Sequence, residues 1–177
     1  MRLYAALMNC KLTDLLLADL EREAKGTRRA LERVPDGRAD WQPHPKSMSL
    51  GRLATLVSGM PEWLAMMINM DELDIAPNEN SPRPAELKTS AELVEAHERA
   101  LAKGREALSR TTDEHLQTNW KLLVKGKVVA ESPRYVVIRE TMGHLAHHRG
   151  QLTVFLRLLD APVPAIYGPS ADDMRFD

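Results

Sequence analysis

A chain of 177 residues with 44% hydrophobic residues is long enough to enclose one substantial core, and it reads as a single domain over 1–177. Its 24 Lys plus Arg against 25 Asp plus Glu leave a formal net charge of −1, with no basic cluster, which argues against a nucleic-acid partner. The one cysteine, Cys10, leaves no internal disulfide and suits a reducing, cytoplasmic setting.

Cys10 reads as a small core residue, since nothing nearby in sequence would activate its thiol. The short apolar start is interrupted by Lys11 and Asp14, and no apolar run approaches a membrane span, so neither a signal peptide nor a membrane partner is expected. From Thr13 to about Val34, Leu15, Leu16, Leu20, Ala24 and Leu31 recur at helical spacing until Pro35-Asp36-Gly37 stops them. After a proline-rich stretch, Ser49 caps a second periodic run through Leu50, Leu53, Leu56, Val57 and Met60, and Trp63, Leu64 and Met67 carry its face past a bend expected at Pro61. The segment from Asp71 to Leu87 is polar and broken by prolines, and reads as an exposed loop. Thr89 and Glu92 form a capping box for a third helix through Leu93, His97, Leu101 and Leu108, with a solvated charged face. Trp120–Val124 and Val128–Ala130 flank Lys125-Gly126-Lys127 as a small hairpin would. Ser132 as N-cap, with Pro133 in the first turn, then opens a fourth helix that runs to Ala161-Pro162. The fold class that follows is all-α, a four-helix bundle with a small β-hairpin before the last helix.

Three of the six histidines lie in Gly143-His144-Leu145-Ala146-His147-His148-Arg149-Gly150-Gln151, on that fourth helix. Residues four apart share a helix face, so the imidazoles of His144 and His148 can converge on one ion. Glu140, His144, His148 and Gln151 form a polar stripe that Phe155 continues, as a cavity between helices would require. In that reading Glu140 or Gln151 orients a ring or a bound water. A hydrogen-bond network without an ion is the alternative for the same stripe. His147 lies to one side, and Arg149 points about 140° from His144, which suits a structural ion pair. No third ligand is near in sequence.

The run Trp41-Gln42-Pro43-His44-Pro45-Lys46-Ser47-Met48-Ser49-Leu50-Gly51-Arg52-Leu53-Ala54, with Pro133-Arg134-Tyr135, the histidine run through Leu152 and the tail Pro162–Asp172, resembles the DinB/YfiT-like family over nearly the whole chain. The resemblance implies an up-down-down-up bundle and a homodimer. It also implies a divalent metal, zinc, nickel or similar, held by one histidine of the second helix and a pair on the fourth. That pair carries over to His144 and His148. The place of the other histidine, one residue after Ser-Leu-Gly-x-Leu-Ala, belongs here to Leu56, which cannot ligate; a weakened, altered or absent ion is therefore expected. His44, twelve positions earlier and ahead of the helix, is too distant to replace it. Members of the family include transferases and isomerases that use low-molecular-weight thiols, so the resemblance implies a metal-dependent transferase or hydrolase acting on a small molecule, with catalytic residues unassigned. The alternative is a metal-free ligand-binding or interaction bundle, its cavity made more apolar by Leu56.

Overall fold

The computed structural model describes residues 11–76 and 85–176; Cys10 and positions 77–84 of the proline-rich loop lie outside them. The elements run α1 (Leu12–Leu31), α2 (Leu50–Asn69), β1 (Glu72–Asp74), α3 (Ser90–Arg110), α4 (Asp113–Leu116), β2 (Asn119–Val124), β3 (Lys127–Pro133) and α5 (Arg134–Leu158). The chain is mostly helical with one small sheet. α2 packs on α3 and α5, and α1 packs on the same two, so α1 and α2 occupy opposite corners. Among the described residues no helix is long and apolar enough to cross a membrane.

Local chemistry accounts for most boundaries. Ser49 Oγ accepts from the Arg52 amide at 3.2 Å, and Thr89 with Glu92 forms the expected reciprocal capping box. Pro61 sits inside an unbroken α2. α1 has no side-chain cap of its own at Lys11; instead Asp113 of α4 accepts from the amides of Leu12 and Thr13 at 2.9 and 3.0 Å. Those bonds hold the Asp113 carboxyl below the usual range. The short helix that supplies Asp113 makes five helices among the described residues rather than four, and α1 ends at Leu31, before the expected Val34.

The expected hairpin forms, turning at Lys125 and Gly126, which both have positive φ. It gains a third strand. β1 pairs parallel with β2, matching Glu72 to Lys121 and Asp74 to Leu123, in a stretch expected to be loop. The Asp74 carboxylate secures this edge by accepting from the amides of Ala76, Lys125 and Gly126 at 2.9, 3.2 and 2.7 Å. Ser132 is not a helix cap: it pairs with Trp120 in the ladder, and Pro133 itself is the N-cap of α5. The buried Trp120 side chain makes that pairing part of the core, and this outweighs the capping preference of serine.

Two buried arginines fix α5. Arg134, its first residue, donates to Thr118 Oγ1 at 2.5 Å, to the carbonyl of Asn119 at 2.8 Å and to Asp71 at 2.5 Å, tying the helix to the sheet and the end of α2. Arg149, in its middle, pairs with Glu23 of α1 at 2.6 Å and donates to Tyr167 Oη at 2.6 Å and Thr27 Oγ1 at 3.1 Å. Its side chain is 2% exposed and that of Glu23 14%. Gly26 makes room for it, since a Cβ there would sit 3.2 Å from Ile166 and 3.4 Å from Arg149 Nη1. Arg149 is thus the structural ion pair its position on the helix predicts.

Arg149→Met leaves the Glu23 carboxylate buried without its cation and is expected to cost about 3–5 kcal/mol. Urea unfolding of Arg149→Met, Glu23→Gln and the double variant checks this: the double variant should recover part of the loss, and a cost within experimental error of zero would contradict a stabilising role. His97 of α3 is fully buried and bonded to the Ala24 carbonyl at 3.3 Å; burial pushes its pKa down, opposed by that carbonyl. An imidazole kept neutral in the fold and ordinary in the unfolded chain is protonated on unfolding below about pH 6.5. Stability should therefore fall as pH drops through that value and be indifferent to this group above it. His97→Gln is expected to flatten the slope between about pH 7 and 5, measured by denaturation at each pH; an unchanged slope would acquit His97.

Candidate functional site

Because Arg149 is held against α1, the face of α5 about 100° to 140° away is set, and it carries His148 and His144. Their Nε2 atoms lie 2.8 Å apart, with ring centroids 4.5 Å apart. His148 Nδ1 lies 2.8 Å from Gln151 Oε1, and Gln151 Nε2 lies 3.1 Å from His147 Nε2. An amide oxygen only accepts and an amide nitrogen only donates, so the chain has one consistent direction. His148 carries its proton on Nδ1 and offers Nε2 as acceptor; His144 donates from Nε2; His147 accepts from Gln151. Gln151 thus orients a ring of the dyad. His147, exposed to one side of the dyad, is hydrogen-bonded to it through Gln151.

The dyad lies at the edge of the helix packing rather than in an enclosed cavity: His144 is exposed, and His148 half-buried. Trp63 of α2 covers one side of His144 with ring centroids 5.9 Å apart. Partial burial, then the neighbouring His148 and His147, lower the His144 pKa, favouring the neutral ring. Glu140, one turn earlier, is exposed and bonds to neither imidazole. Phe155 continues the stripe only as a core residue, edge-on to Trp41 at 5.4 Å.

Do these residues fit a metal? His148 does, for Gln151 fixes its Nε2 lone pair toward His144 as an outer partner of a ligand would. His144 would need only to move its proton to Nδ1. The third donor is missing. Leu56, two turns before Trp63 on α2, packs on the apolar cluster of Leu53, Val57, Leu152 and Leu156. The described residues hold no group of three His, Cys, Asp or Glu side chains placed to take an ion. His44 is exposed and accepts from the Lys46 amide at 3.1 Å. The described residues do not make a three-ligand site within one chain.

Leu56 and Trp63 also border a groove of about 680 Å³ between α2, α3 and residues 85–87. Gly59, Ala96 and Ala100 line it together with the apolar side chains of Leu56, Trp63 and Met66. Thr55 Oγ1 accepts from the Leu87 amide at 2.9 Å and holds the rim in place. A glycine inside a helix costs about 0.5–1 kcal/mol relative to alanine. At Gly59 no packing requires it, since a Cβ there would meet nothing within 4 Å. The groove, Gly59 and Arg52 at one end escaped the sequence reading; the only available signal was the run of small residues on facing helices.

Comparison with known proteins places these features in a family. The chain is 27% identical over 162 residues to the uncharacterized protein YrdA of Bacillus subtilis (strain 168), covering 90% of each. In fold it is similar to the crystal structure of a DinB-like protein, YjoA, from Bacillus subtilis, with a TM-score of 0.65 at 17% identity over 91% of this chain and 99% of that one. A DinB-like protein from Bacillus cereus ATCC 10987 gives the same TM-score at 21% identity, over 86% and 95% of the two chains. The profile of the DinB family matches residues 8–175, and the chain belongs to that family.

Proposed function

We propose that the four long helices form an up-down-down-up bundle that binds a small molecule without a resident metal, the groove along α2 receiving the ligand and the dyad providing a hydrogen-bonding edge beside it. One observation carries this reading: Leu56, which the family resemblance puts where a third ligand would stand, belongs to the apolar packing. Two imidazoles alone give a weak site. They satisfy one another instead through the 2.8 Å bond. On this reading Leu56 and Trp63 join dyad and groove into one surface, and the free Nδ1 of His144 is the acceptor a ligand would meet. The protein acts as a cytoplasmic homodimer in this proposal, the assembly resting on the family resemblance and the location on the lone cysteine and the lack of a long apolar run.

A second reading keeps the metal. The convergence of the two Nε2 atoms favours it, with a divalent ion such as zinc or nickel taking its remaining donors from outside this set, a low-molecular-weight thiol among them. Isothermal titration of the native protein and Leu56→His with zinc separates the two. The proposal expects weak or no binding by the native chain and a gain of roughly a hundredfold or more in Leu56→His, since a third imidazole completes the set. Tight stoichiometric binding by the native chain, unchanged by the substitution, would favour the second reading.

A further inference from the structure

The groove has a charge pattern that selects its occupant. Of its cations, Lys103 is paired with Glu62 at 2.6 Å and Arg99 with Glu95. Glu86 is held by the Ser49 hydroxyl at 3.1 Å, at the start of α2, where the helix dipole favours a negative charge. Arg52, exposed on the groove wall, forms no ion pair with a described residue. Between Arg52 and Trp63 the groove follows eleven residues of α2, roughly 16 Å at the helical rise. Along that length it presents Leu56, Gly59, Ala96, Ala100 and Met66, an apolar track beside which the cations Lys103 and Arg99 are already paired.

We infer that this groove takes a linear aliphatic carboxylate, its head group bound by the Arg52 guanidinium and its chain lying along Gly59 toward Trp63. The inference rests on the reading of the groove as the ligand site and adds the chemical class. Guanidinium and carboxylate match as a bidentate pair, and a carboxylate supplies the charge that Arg52 lacks. An unbranched chain fits a track floored by glycine and alanine, where a side chain at position 59 would stand in its way. As at Gly143 and Gly150 of α5, packing gives no reason for glycine at position 59, but here the open space belongs to the groove. The Glu86 carboxylate, near the same end, disfavours heads of higher negative charge and so favours a monoanion.

Dodecanoate and dodecanol are the probes, titrated into the native protein, Arg52→Gln and Gly59→Leu by calorimetry and by quenching of tryptophan fluorescence. Dodecanoate should bind the native chain one to one, and Arg52→Gln should weaken it roughly ten- to a hundredfold while leaving dodecanol unchanged. Gly59→Leu should abolish binding of both probes with its melting temperature kept or raised, because the added side chain enters open space. Equal dodecanoate affinity in native protein and Arg52→Gln would overturn the carboxylate assignment and leave the groove as a site for uncharged ligands. Binding of both probes undiminished by Gly59→Leu would overturn the groove as their site. Failure of the native protein to bind either probe would overturn this inference and, with it, the reading of the groove as an apolar ligand site.

Discussion

The placement of the candidate site depends on one buried ion pair, Arg149 with Glu23. A guanidinium that is 2% exposed needs partners, and this one is supplied from α1 by a carboxylate, a threonine hydroxyl and a backbone carbonyl, and from the C-terminal segment by Tyr167. The Tyr167 ring also lies 5.1 Å from the guanidinium carbon. Such a pair contributes little net free energy against an apolar core, but breaking it is costly, so it acts chiefly by forbidding other rotations of α5. With Arg149 facing α1 and Arg134 locked on the sheet, the helix has one azimuth. His144 and His148 then have one place, beside Trp63 at the edge of α2.

The same azimuth brings His144 against Trp63 of α2, the helix that also carries Leu56. A histidine at that position would offer a nitrogen; leucine offers apolar surface that packs on the core cluster to which Leu53 and Leu152 belong. The two imidazoles are left with each other and with Gln151, and the resulting bond direction leaves a single ring nitrogen of the dyad, Nδ1 of His144, without a partner. The pair is thus a hydrogen-bonding one in this structure. The groove on the other side of Leu56 gains an apolar wall from the same residue.

What could be read in the sequence was local. The Ser49 cap, the Thr89 and Glu92 capping box, the Lys125-Gly126 turn and the i, i+4 histidine pair each depend on residues within one turn of one another, and each is found in the structure. What was missed depends on partners far apart in the chain. α1 is capped by Asp113, 101 residues from Leu12, and no local pattern around Lys11 announces it. β1 is ordinary loop sequence until β2 pairs with it, and Ser132 has the chemistry of a cap but the neighbours of a strand. The dyad's spacing was legible, its exposure was not, because amphipathic periodicity does not say where a helix edge meets its neighbour. The groove requires two helices to be brought together before small residues on each become one floor.

The central claim is that substitution of the third ligand position leaves His144 and His148 as a hydrogen-bonded pair. Elemental mass spectrometry of the protein purified without a histidine tag, alongside His144→Ala, tests it most directly. The account predicts zinc, nickel, manganese and iron far below one ion per chain in both proteins. One ion per native chain that disappears in His144→Ala would contradict it and direct attention to a donor outside the residues described.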